Sequence, residues 1–249
     1  MRFLELQGRV DEAEAAVRRF EDAAGVAPVE SPPPVPAPSP GPAALWAVGT
    51  RARTAALWVT WFSINFAYYG AFIWLPTLLV ANGFSLVRSF GYTLVITLAQ
   101  LPGYAAAAFL IEKWGRRATL ATFLAGSALG AALFAGADGG TAVLVTGMVL
   151  SFFNLGAWGA LYAVTPEVYP TVLRGTGAGA AAGFGRLASI TAPLCVPPLL
   201  EAGGTGLVFG TFAAFFVLGG LATWWLPERR GQRLEDVLAT PTAGRARSA

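Results

Sequence analysis

Four polar side chains interrupt long apolar runs: Asn65, Gln100, Asn154 and Arg186. A guanidinium can hold a carboxylate through two parallel N–H···O bonds, and a carboxamide can orient a polar ligand group. Tyr68, Tyr69 and Tyr104 offer ring faces for stacking, as does Trp158, one helical turn beyond Asn154. This chemistry suits recognition of a small polar or anionic solute. Histidine is absent and Cys195 is the only cysteine. A His-based triad, a Cys/His zinc site and an intrachain disulfide are therefore excluded. There is no nucleophile elbow and no phosphate-binding Gly-Lys-Ser/Thr loop, and Gly177 and Gly179 lie within an apolar run. The expectation is no enzyme, no metal and no cofactor.

The elements that must carry these residues are set by solvent. The 249 residues are 55% hydrophobic and 12% charged, where a soluble domain is about 25% charged. Mean hydropathy is +0.57, and so few charges could not cover a soluble fold. The pI near 9.3 does not indicate nucleic acid, because the positive residues come in short clusters between apolar runs. Six runs, 54–80, 89–111, 118–136, 141–163, 176–200 and 205–227, are each long enough to cross a bilayer as a helix. Their short connections make neighbours antiparallel, and Pro193, Pro197 and Pro198 are expected to bend the fifth run. The fold class predicted is an all-α membrane protein, a six-transmembrane-helix bundle.

The flanking regions differ. Residues 1–27 read as a cytoplasmic amphipathic helix, with Phe3, Leu6, Val10, Ala13, Val17 and Phe20 at three- and four-residue spacing. Residues 28–42 form a Pro-rich linker, 43–228 the membrane domain and 229–249 a cytoplasmic tail. Arg51, Arg53, Lys113, Arg116, Arg117, Arg174, Arg229, Arg230 and Arg233 fall on one side of the membrane, and Arg88 stands alone on the other. Both termini are therefore expected in the cytoplasm, and the membrane expected is the cell inner membrane, crossed several times.

Depth then brings the polar residues to one level. At about 1.5 Å per residue, Asn65, Gln100 and Arg186 lie about 15–16 Å into their runs and Asn154 about 20 Å. In a core about 30 Å thick all four sit near the midplane, one on each of four helices. An arginine at a helix centre costs about 2.5–3.5 kcal/mol on insertion scales, and no Asp or Glu shares its depth. Either an anion from outside these helices neutralises Arg186, or it donates to backbone carbonyls near Gly183 and Gly185. Gly175, Gly179 and Gly183 give the same run a smooth face, suited to sliding against another body or to static packing within this one.

The loops carry further text: Glu112-Lys113-Trp114-Gly115-Arg116-Arg117, then Pro166-Glu167-Val168-Tyr169-Pro170 with Arg174-Gly175-Thr176-Gly177, then Pro227-Glu228-Arg229-Arg230-Gly231. Together they resemble the C-terminal half of a major facilitator superfamily transporter of the sugar-porter and metabolite:proton-symporter branch. Asn65-Phe66-Ala67-Tyr68-Tyr69-Gly70 and the run from Ser151 to Trp158 are most similar to bacterial niacin and aromatic-acid transporters. Gly8-Arg9 with Glu12-Ala13 resembles the family's central cytoplasmic loop, so the first six spans of such a carrier are expected to be missing from this chain. Ala108 and Lys113 depart from the family's Gly and Arg, and Lys113 gives up bidentate pairing.

The resemblance implies alternating-access transport of a small carboxylate, such as nicotinate or an aromatic acid. Asn65, Tyr68, Tyr69, Gln100, Asn154, Trp158 and Arg186 would form a substrate wall. It also implies a cytoplasmic gate of Glu112, Arg116, Arg117, Glu167, Arg174, Glu228 and Arg229, whose acids and arginines pair when the inner side closes. Glu112 is further expected near the N-terminal end of the fifth helix. Expected partners are the solute, the bilayer, protons if transport is coupled, and a missing N-terminal half or a second copy. A truncated, non-transporting fragment and a membrane scaffold or assembly partner are the alternatives.

Overall fold

The computed structural model describes Leu4 and residues 8–27 and 41–228. The first helix, α1, spans Val10–Ala24 and ends at Gly25, whose φ of 64° supplies the left-handed cap. The remainder of the 1–27 reading, most of the Pro-rich linker and the tail lie outside the described residues. A 3-10 turn, Pro42–Trp46, precedes α2, Arg51–Ala81. Then follow α3, Leu86–Leu98; α4, Gln100–Trp114; α5, Arg116–Ala135; α6, Gly140–Val164; and α7, Thr171–Ala222. There is no strand among the described residues. Five helices, with α3 and α4 counted as one, are long and apolar enough to cross a membrane.

The fifth of these differs from the expected pair of runs. A straight helix of 52 residues would reach about 78 Å, more than twice the hydrocarbon thickness. Its regularity fails at Gly203 (φ −159°, ψ 22°) and Gly204 (φ 63°, ψ −165°). The second conformation is essentially restricted to glycine. Gly185 before the break lies against Trp61, and Gly219 after it lies against Ser63. Two distant parts of α7 thus meet the same level of α2, and the chain has doubled back at the glycine pair.

The prolines are not where regularity fails. Pro193, Pro197 and Pro198 all lie within helical backbone. Pro197 has no N–H for the carbonyl of Pro193, four residues earlier, and that carbonyl instead accepts from Trp74 Nε1 of α2 at 3.1 Å. A neighbouring helix thereby satisfies the group the proline orphans.

The main packing contacts join α2 to both limbs of α7, α6 to α5 and α4, and α5 to α7. Phe123, Phe209, Phe212 and Phe216 are fully buried among them, while Val87, Leu94, Ile190 and Leu194 face outward. An apolar exterior over an apolar core is the pattern of a helix bundle whose solvent is lipid. Glycines set the closest approaches: a Cβ built on Gly130 would lie 2.7 Å from Leu150 Cα, and one on Gly103 would meet the Phe152 carbonyl. In contrast, Gly175, Gly179 and Gly183 have nothing within 4 Å. Their smooth face is open, so the static-packing alternative for it does not hold within the described residues.

Gly130→Ala and Gly103→Ala should each destabilise the bundle by about 1–3 kcal/mol through overpacking against backbone. Gly183→Ala should be neutral. Thermal unfolding in detergent, followed by tryptophan fluorescence, separates the two outcomes.

Candidate functional site

Trp61, Asn65, Tyr68 and Tyr69 occupy successive turns of α2, and the first limb of α7 approaches them closely because residue 185 is glycine. A Cβ there would stand 2.8 Å from Asn65 Nδ2 and 3.3 Å from the Trp61 carbonyl oxygen. That approach delivers the next residue, Arg186, to Tyr69. Arg186 Nη1 donates to the Tyr69 hydroxyl at 2.7 Å, and the guanidinium carbon lies 5.9 Å from the ring centroid. The expected backbone partners near Gly183 and Gly185 are therefore replaced by a phenol across the helix seam. Arg186 remains exposed on the surface of the chain.

From Tyr69 an aromatic series runs inward. Tyr69 meets Tyr68 edge-on at 5.2 Å, and Tyr68 meets Trp158 of α6 at 5.8 Å. Trp158 packs edge-on against Trp61 at 5.7 Å and stacks on Tyr162 at 5.6 Å. Trp61 Nε1 is held by the Thr165 hydroxyl at 2.9 Å. The Tyr68 hydroxyl also neighbours the Gln100 carboxamide of α4. Edge-to-face pairs of this kind fix ring orientation as well as contributing contact energy.

The carboxamides are deeply buried. Asn65 is 1% exposed, Gln100 7% and Asn154 0%. Asn65 Nδ2 donates to the Trp61 carbonyl at 2.8 Å. Asn65 Oδ1, Gln100 Nε2, both polar atoms of Asn154, Trp158 Nε1 and Ser151 Oγ have no hydrogen-bond partner among the described residues. Such groups are costly to leave unmade, about 1–3 kcal/mol each in soluble proteins. Arg186 reaches Trp158 and Gln100 through the two tyrosines and not by direct contact. Ser151 and Trp61 were not marked as site residues by sequence. The available signals were the one-turn spacing of Ser151 from Asn154 and of Trp61 from Asn65.

A second group gathers where helices end. Arg116 Nε donates to Glu167 Oε1 at 3.1 Å, with both side chains partly buried. The Arg117 backbone N–H, in the first turn of α5, donates to Glu228 Oε2 at 3.1 Å. Glu228 lies over Gly115, whose φ of 93° and missing side chain leave room for the carboxylate. The Arg117 guanidinium stands 5.5 Å from the Trp224 ring. Arg174 Nε donates to the Pro166 carbonyl at 2.8 Å, while its Nη2 is buried without a partner among the described residues. Glu112 is exposed, with no ion pair among the described residues. Its helix, α4, packs chiefly on α6 and not on α7, which separates it from the helix end expected to attract it. Arg229 lies outside the described residues. Tyr169 donates to the Thr54 hydroxyl at 3.2 Å, and burial raises its phenol above the ordinary value.

Residues 2–239 match the family of sugar (and other) transporters. The chain belongs to this family of the major facilitator superfamily. It is 43% identical over 242 residues to a niacin transporter of Acinetobacter baylyi, covering 93% of this chain and 54% of the relative. It is 51% identical over 155 residues to a putative niacin/nicotinamide transporter of Bacillus subtilis, covering 62% and 39%. A 3-(3-hydroxy-phenyl)propionate transporter of Escherichia coli is 30% identical over 191 residues, covering 76% and 47%. The chain thus spans about half the length of the curated relatives it matches. Family membership and the apolar helices make it a multi-pass membrane protein.

A double-mutant cycle of Arg116→Gln and Glu167→Gln should give a coupling of about 0.5–1 kcal/mol that shrinks as salt rises. Urea unfolding in detergent at low and high ionic strength measures it. A coupling of zero at low salt would show that the pair does not hold these helix ends.

Proposed function

We propose that this chain is the C-terminal six-helix half of an alternating-access carrier for a small organic carboxylate, such as nicotinate or a related aromatic acid. The single observation that carries this reading is Arg186, a cation midway along the first limb of α7, oriented by the Tyr69 hydroxyl and exposed beside an aromatic series. A guanidinium so held pairs with a carboxylate in bidentate fashion, and the rings of Tyr68, Tyr69 and Trp158 flank a planar ligand. Asn65, Gln100 and Asn154 line the same wall, with their unpartnered atoms available to solute or water. The solutes for which two relatives are named, niacin and 3-(3-hydroxy-phenyl)propionate, are acids that carry an aromatic ring, which supports the same class.

The two limbs of α7 act as separate crossings joined at Gly203–Gly204, making six spans with both termini in the cytoplasm. The loop charges support that orientation, and the likeness to bacterial carriers supports an inner-membrane location. Short amphipathic α1 lies on the cytoplasmic side. The open face of Gly175, Gly179 and Gly183 receives the other half of the carrier, supplied by a partner six-helix segment or a second copy. Glu112, Arg116, Arg117, Glu167, Arg174, Glu228 and Arg229 serve as the inner gate, in which modest ion pairs break readily as the halves rock. A proton-coupling carboxylate, where coupling exists, belongs to the other half, since no Asp or Glu lies centrally in these spans.

The test is uptake of labelled nicotinate into proteoliposomes holding the chain alone at high density, or together with an N-terminal six-helix half of a family member. Saturable uptake in either preparation is expected. Arg186→Ala should weaken apparent affinity at least tenfold, and Tyr69→Phe severalfold by freeing the guanidinium. Complete absence of flux and of binding in both preparations would favour the scaffold reading. Topology is checked separately in a Cys195→Ser background. Cysteines introduced at residues 201–205 should react with an impermeant maleimide from outside, and one at Lys113 from inside.

A further inference from the structure

Arg186 accounts for one end of a bound acid, whereas several unpartnered groups lie further in, on three different helices. Trp158 Nε1 and Gln100 Nε2 have no acceptor among the described residues, and their side chains are 5% and 7% exposed. The Trp158 indole N–H can only donate, whereas the Gln100 carboxamide can present either its NH2 or its carbonyl at the same place. Asn154, fully buried one turn from Trp158, adds another free NH2. Its carbonyl and the Ser151 hydroxyl, one turn away, are likewise without a partner among the described residues. Trp158 and Gln100 flank one ring: Tyr68 touches Trp158 edge-on at 5.8 Å and neighbours Gln100. Tyr68 in turn meets Tyr69, the residue that orients Arg186. Donors that make no hydrogen bond, Trp158 Nε1 foremost, therefore lie inward from the guanidinium, beyond Tyr69 and Tyr68.

We propose that the seam between α2, α4 and α6 forms a hydrogen-bond-donor subsite, built from Trp158, Gln100 and Asn154, that selects heteroaromatic acids with a ring-nitrogen acceptor over their carbocyclic counterparts. It rests on the carboxylate reading of Arg186 given above. The carboxylate is held by the guanidinium, the ring lies among the tyrosines, and the ring nitrogen accepts from the inner donors. A carbocyclic ring of the same size fills the space but leaves those donors unpaired. Sites built to hydrogen-bond a ligand reject analogues lacking the matching group for this reason.

Equilibrium binding of labelled nicotinate and benzoate to the assembled carrier in lipid nanodiscs tests it. The two probes share charge and ring size and differ at the ring nitrogen. Nicotinate should bind at least tenfold more tightly than benzoate. Trp158→Phe keeps a ring against Trp61, Tyr68 and Tyr162 but removes the N–H, and should reduce that ratio below threefold. Gln100→Leu is the second variant, on a different helix, with the same expected direction. Equal affinity for the two acids in the unaltered protein overturns the subsite and leaves internal water as the partner of these donors, while the carboxylate reading stands. A ratio that survives both substitutions also overturns it. If neither acid binds the unaltered protein, the carboxylate reading fails and the subsite fails with it.

Discussion

The close seam between α2 and the two limbs of α7 is the contact on which the other arrangements depend. It exists because glycines remove side chains at the points of approach: Gly185 faces Trp61 and Asn65, Gly219 faces Ser63, and Gly70 faces Phe212 and Ala192. In hydrocarbon there is no hydrophobic drive between helices, so association relies on close van der Waals fit and on polar groups finding partners. Both appear along this seam. Trp74 caps the carbonyl freed by Pro197, the Thr60 hydroxyl reaches the Gly219 carbonyl at 3.4 Å, and Arg186 finds Tyr69. Filling Gly185 would separate the helices and withdraw the phenol from the guanidinium.

A division of labour follows between fixed and open surfaces. The α2–α6 side is locked by Trp61, Trp158 and Tyr162 in mutual ring contact, with the Trp61 indole anchored on Thr165. Side chains on such a scaffold keep their geometry because their rotamers are held by neighbours. The opposite character belongs to the face of Gly175, Gly179 and Gly183, which touches nothing among the described residues. One helix thus presents a packed face at Gly185 and an open one at Gly183, two residues apart. The same bundle carries a ring network held in mutual contact on one side and a bare, smooth helix face on the other.

The inner helix ends are tied by weaker means. One partly buried ion pair joins Arg116 to Glu167, and Glu228 caps α5 by accepting from the Arg117 N–H. Contacts of this size fasten without locking. They also connect the third span to the loop before α7 and to the segment after it, so a displacement at any of these ends is felt at the others.

Composition and the spacing of apolar runs were sufficient for the helical class and, within a few residues, for the first four apolar runs, because transfer into lipid penalises charge whatever the packing. Loop motifs indicated the family for a similar reason, since they are contiguous in the chain. Other features depended on where distant residues meet. Proline spacing suggested bends in α7, yet the irregular backbone is at Gly203–Gly204, because a carbonyl freed by proline can be satisfied by an indole from another helix. Arg186 was recognisable as an unpaired cation, but its partner Tyr69 lies more than a hundred residues away, and no local pattern encodes a contact across a seam. The exposure of Glu112 and the cluster of unpartnered donors around Trp158 likewise arise only from packing: sequence lists the polar groups a membrane helix carries, and the tertiary fold decides which of them are left without a mate.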